Sequence, residues 1–167
     1  EASAPMPAEY GMRDGMSAGS YEENYKGGNR GQITLARMLK TEDNLSTLIH
    51  EWGHSIDPGI GNELIHIPIL EQVKQVRDWL QIRKSDPIEL TGYIKKIKNA
   101  DPKKEESLKR QEDWAESFML FFTDRDKLKK EAPKREAFFA QWLSINHPEL
   151  DIEEMMYMAN QLGSQED

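Results

Sequence analysis

The chain has 167 residues, no cysteine and a formal net charge of −8. The missing thiols exclude disulfides, thiol catalysis and a cysteine-built structural zinc site, and the acidic balance argues against nonspecific nucleic-acid binding. The length suits one domain over residues 1–167 with a substantial core, and no apolar run approaches the ~20 residues of a membrane span.

In chain order, residues 1–31 carry Pro5, Pro7 and Gly27-Gly28-Asn29-Arg30-Gly31, a composition that predicts a largely irregular segment. A chain that starts at Glu1 reads as secreted or as released from a larger polypeptide. Residues 32–36 look like a short strand, whose edge could add to an extended peptide; an inner strand or a first helical turn are the plainer readings. From Thr41 the pattern changes. Leu45, Leu48, Ile49, Trp52 and Ile56 recur with a 3.6-residue period, predicting a helix with one buried face, and Asp57-Pro58-Gly59 closes it. Further helices are expected from Pro68 to about Asp86-Pro87, over 88–98, over about 108–122 after Asp101-Pro102 restarts the chain, over 133–146 and over 151–162. The lysine-rich stretch 95–110 reads as a solvated face or mobile loop. Met155, Met156 and Met158 read as flexible core packing. The expected class is α+β, mainly α, with a small sheet.

The first of these helices carries His50-Glu51-Trp52-Gly53-His54. Residues four apart share a helix face, so both imidazoles can reach one metal ion, and Glu51 is placed to take a proton from water attacking a peptide carbonyl. Zn²⁺ bound this way needs a third protein ligand and keeps a fourth position open. Gly53 weakens the helix by about 1 kcal/mol relative to Ala, which makes sense if backbone or substrate comes close there. Position 60 is Ile60, so a third histidine six residues beyond His54 is excluded. His66 lies past the Pro-Gly turn at no suitable spacing, and His147 precedes Pro148 near a helix end. Glu112 and Glu116 are better placed: four apart, they share a face beside Trp114, Ala115, Phe118, Phe121 and Phe122. Carboxylates next to aromatics are costly unless a cation or histidine compensates. One of the two on the metal, and the other on a ligand histidine's remaining N–H, would compensate both.

These residues resemble the glutamate-zincins, and more narrowly the catalytic domain of anthrax lethal factor and the clostridial Pro-Pro endopeptidases. The family's HExGH-small-apolar-Asp helix is matched by His50 through Asp57. Its E-aromatic-aromatic-A-E-x-F helix is matched by Glu112-Asp113-Trp114-Ala115-Glu116-Ser117-Phe118, with Asp113 standing at an aromatic position. Glu131-Ala132-Pro133-Lys134 and Phe138-Phe139-Ala140-Gln141-Trp142 resemble the end of that domain. The resemblance covers roughly residues 30–145 and implies a zincin-like metallopeptidase domain. It implies Glu112 as zinc ligand with His50 and His54, and Glu116 as the carboxylate behind a ligand histidine. Leu90-Thr91-Gly92-Tyr93 resembles the phrase that supplies the family's oxyanion-donating tyrosine, though 95–110 lengthens the gap from Tyr93 to Glu112.

Together these point to a zinc metalloendopeptidase that hydrolyses peptide bonds through a zinc-bound water, with Glu51 as general base, Tyr93 assisting and a peptide or protein as substrate. A non-catalytic binding module on the same scaffold is the alternative. A helical interaction protein with a fortuitous HExxH is the other.

Overall fold

A computed structural model of the chain describes residues 19–22, 32–35, 41–60, 68–87, 89–148 and 150–163. The largely irregular segment expected over 1–31 is corrected at Gly19–Glu22, which forms a strand; the rest of it, His66 and the side chain of Met158 lie outside the described residues. From Thr41 onward the described chain is helical, in seven elements: α1 (Thr41–Ser55), α2 (Ile69–Ser85), α3 (Tyr93–Lys96), α4 (Pro102–Thr123), α5 (Arg125–Glu131), α6 (Pro133–Asn146) and α7 (Ile152–Gly163).

The α+β expectation with a small sheet is overturned, because the described chain is helix almost throughout and its two short strands only lie against α1 as an appendage. The only strand pairing among the described residues lies ahead of it: β1 (Gly19–Glu22) and β2 (Gln32–Leu35) pair antiparallel, Gly19 opposite Leu35 and Glu22 opposite Gln32. Two four-residue strands make a ribbon, too small to form a layer of the fold. The class is mainly α.

Helix α4 is the axis of the molecule. Asp101 caps it by accepting from Lys103 N–H, Pro102 supplies the preset φ of a first helical turn, and the exposed stretch 102–109 follows. From 102 to 109 the charged run is thus the solvated face of a helix, and its residues 97–101 are a non-helical link. From Asp113 to Phe122 every residue is buried, as expected of a helix covered on all sides. Trp114 stands at the centre, with Phe139 at 4.9 Å, Trp142 at 5.2 Å and Trp79 at 5.3 Å between ring centroids. Helices α1, α5, α6 and α7 pack around it, and the α1–α4 crossing is the most extensive contact between elements.

That crossing is close because of Gly53. A Cβ there would lie 3.1 Å from Ala115 Cα and 3.2 Å from Phe118 Cδ1, so the small residue lets the helices meet backbone to backbone. Trp114 Nε1 donates to Gly53 O at 3.0 Å across the same contact. Two local expectations need correcting. Leu48 is exposed, and Thr47 takes the buried place beside Ile49. The helix expected over 88–98 is only Tyr93–Lys96, since Gly92 and the extended Ile97 bound it on either side.

Candidate metal centre

The α1–α4 crossing brings three donor groups together. His50 and His54 stand one turn apart on α1, with their Nε2 atoms 3.1 Å from each other. Glu112 Oε2, from α4, lies 3.3 Å from His50 Nε2 and 3.5 Å from His54 Nε2. A four-coordinate tetrahedral ion with Zn–N and Zn–O legs near 2.0–2.1 Å has donor–donor edges of about 3.3 Å. The triangle matches that size, and its two imidazoles and one carboxylate are a donor set suited to Zn²⁺. Among the described residues, this is the group arranged to hold a metal ion.

The site is deep but open on one side. His50 is almost fully buried, whereas His54 and Glu112 keep 12% and 18% of their side chains exposed. Metal sites that do chemistry keep such an access, while structural ones close it. Behind His50, Glu116 Oε1 faces Nδ1 at 3.7 Å and is wholly buried. Of the two carboxylates that sequence left in contention, Glu112 therefore meets the Nε2 atoms of both histidines and Glu116 the far side of one ring. Glu51 is buried next to His50.

The electrostatics follow from packing three glutamates around an imidazole. Burial alone would lower the His50 pKa, but the hydrogen bond and charge of Glu112, reinforced by Glu116 and Glu51, raise it to about 9. Burial pushes Glu112 upward, yet its hydrogen bonds to His50 and His54 hold it well below the usual carboxylate range. Without metal, a proton on the imidazole balances the carboxylate. A dication would displace that proton.

Tyr93, at the start of α3, feels the same cluster. Burial and then the charges of Glu112, Glu116 and Glu51 push its phenol far above its ordinary value. All three glutamates thus act on it across the lengthened gap, and the hydroxyl remains a donor at any pH near neutral. His147, by contrast, ends α6 with its ring 5.2 Å from Trp142.

Two charged residues near the site escaped the sequence reading. In sequence Asp57 reads as part of a helix stop and as the last residue of the matched helix motif, and Arg110 as the end of a solvated run, with nothing to pair them. They form a buried ion pair, with Arg110 Nη1 donating to Asp57 Oδ1 and Oδ2 at 2.8 and 2.9 Å. Asp113, the departure at an aromatic position, accepts from Arg83 Nε and Arg135 Nη1 at 2.6 Å each. No local signal pairs residues 22 to 53 positions apart.

Comparison with protein-family models, curated proteins and solved structures found no match to this chain. Among the described residues no helix is long and apolar enough to cross a membrane.

Proposed function

We propose that this chain is a zinc-dependent metalloendopeptidase whose ligands follow the glutamate-zincin pattern of the lethal factor catalytic domain and the Pro-Pro endopeptidases. The observation that supports it is the triangle of His50, His54 and Glu112 donor atoms, 3.1 to 3.5 Å on its edges, with Glu51 buried alongside. A Zn²⁺ ion held there supplies Lewis acidity, activating water and polarising the scissile carbonyl. Glu51 accepts the proton released as water attacks and passes it to the departing amine. Glu116 orients the His50 ring from its Nδ1 side. Tyr93 donates a hydrogen bond to the carbonyl oxygen as it gains negative charge. The substrate is a peptide or protein segment.

The test is metal content together with digestion of a diverse peptide library. The wild-type chain should carry stoichiometric zinc and cleave. Glu51→Gln should keep the zinc and lose about 10²–10⁴ in rate. Undiminished cleavage by Glu51→Gln would remove the base from the mechanism. Zinc without any cleavage would make the chain a binding module instead.

A further inference from the structure

We infer that the buried Asp57–Arg110 pair positions the third metal ligand, by fixing how far α4 lies along α1 and hence whether Glu112 reaches both imidazoles. The inference rests on the metal-site reading above.

The pair spans the two halves of the site. Asp57 follows His54 by three residues, and its N–H bonds back to His54 O at 3.3 Å. Arg110 precedes Glu112 by two residues on the same helix, where each residue advances the chain by 1.5 Å. Both charges are out of solvent: Asp57 is wholly buried and Arg110 keeps 6% of its surface. Arg110 Nη1 bonds both carboxylate oxygens, and Gly59 N–H adds a third bond to Asp57 Oδ1 at 2.7 Å. The turn after α1 is moulded to the guanidinium, since a Cβ on Gly59 would collide with its Cζ and both Nη atoms.

Stability does not account for such an arrangement. Replacing a buried ion pair by neutral groups of similar size is often neutral or stabilising, so its directional bonds must be judged by what they align. The Gly53–Ala115 contact and the Trp114 Nε1 bond to Gly53 O set the depth at which the helices cross. The Asp57–Arg110 bonds, beyond the ligand-bearing turns of both helices, add the directional contacts that oppose a slide of α4 along α1. Ligand constellations need holding to about 0.5 Å, and here a slide of α4 would part Glu112 from His50 and His54 together.

The test compares zinc dissociation constants, by chelator competition, for wild type, Asp57→Asn/Arg110→Met and Arg110→Lys, each with and without Glu112→Ala. Thermal melts of the metal-free forms run alongside. The double variant leaves no lone buried charge and should melt near wild type while binding zinc about 10–100-fold more weakly. Arg110→Lys, which keeps the charge and loses the planar fork, should fall between. In the Glu112→Ala background the same changes should cost nothing further, because the residue they position is gone. With Co²⁺ as probe, the visible bands of the double variant should shift towards those of Glu112→Ala. Unchanged zinc affinity in the folded double variant overturns the inference, as does an equal loss in the Glu112→Ala background. If the double variant does not fold, Arg110→Lys decides by the same two comparisons. A wild-type chain that takes up no zinc overturns the site itself, and this inference with it.

Discussion

Glu112 and Asp113 are neighbours on α4, carry the same charge and turn into opposite surroundings. Asp113 faces α2 and α6, where Arg83 and Arg135 each donate to it at 2.6 Å. Arg135 is itself held by Asp86 O at 3.0 Å and Ser117 Oγ at 3.3 Å. Glu112 faces α1, where its partners are two imidazoles. A guanidinium is always charged, so the carboxylate it holds is committed to the fold. An imidazole can give up its proton, so the carboxylate beside it can exchange that proton for a metal ion. On the proposed function, one helix carries an architectural acid and an exchangeable one, side by side.

Swapping the two tests that contrast most severely. Glu112→Ala should weaken zinc binding until the purified chain holds well under one equivalent, read by metal analysis. Asp113→Ala takes the buried Arg135 guanidinium's carboxylate away and leaves Arg83 only Glu106, and should cost about 3–5 kcal/mol in urea unfolding, with zinc retained by the folded fraction. Equal loss of zinc in both variants would break the distinction. Next in size, Tyr93→Phe should lower kcat by the ~2.7–4 kcal/mol of an oxyanion donor, or about 10²–10³-fold, with metal content unchanged. An unaltered kcat would return Tyr93 to packing.

The exchangeable face should also show itself through pH. His50 is raised above its unfolded value of 6.5 to about 9, so its contribution to the metal-free fold is complete below 6.5 and lost as pH rises through about 9. Glu112 is depressed below 4.5, so its contribution is present above that value and lost as pH falls through its lower folded one. Metal-free protein should therefore melt highest between about 4.5 and 6.5, and lower at pH 9. Zinc should flatten the alkaline side of that profile, and a metal-free melt that climbs steadily to pH 9 would contradict the pairing. The smallest effect expected is at the crossing. Gly53→Ala overpacks against Ala115 at about 1–3 kcal/mol, offset by about 1 kcal/mol of helix propensity, and thermal melts should show the small net loss.

How much of this could be read beforehand depended on range. Helices α1, α2, α4, α6 and α7 were legible because apolar spacing, caps and prolines are local; the helix expected over 133–146 has those bounds. The His50, Glu51 and His54 pattern was legible for the same reason, and Glu112 with Glu116 stood out as acids among aromatics. Short elements were not. Helix α5 is seven residues long with Leu128 as its one buried side chain, too little for a period to register. Alternation in 32–36 suggested a sheet, but four residues of pairing extend no further than a ribbon. Lys-rich flanks made Arg110 look solvated, and nothing near it in sequence announces Asp57, 53 residues away.

The indole of Trp114 has one more effect. A helix's final turn ordinarily frays first, and His54 sits one residue from the end of α1. Asp57 N–H turns to His54 O rather than to Gly53 O four residues back, and Trp114 Nε1 takes up the Gly53 carbonyl from across the crossing. The turn that carries His54 is thereby latched from outside its own helix. Its amides should exchange with deuterium as slowly as those of the interior, and Trp114→Phe should quicken them before any other part of α1.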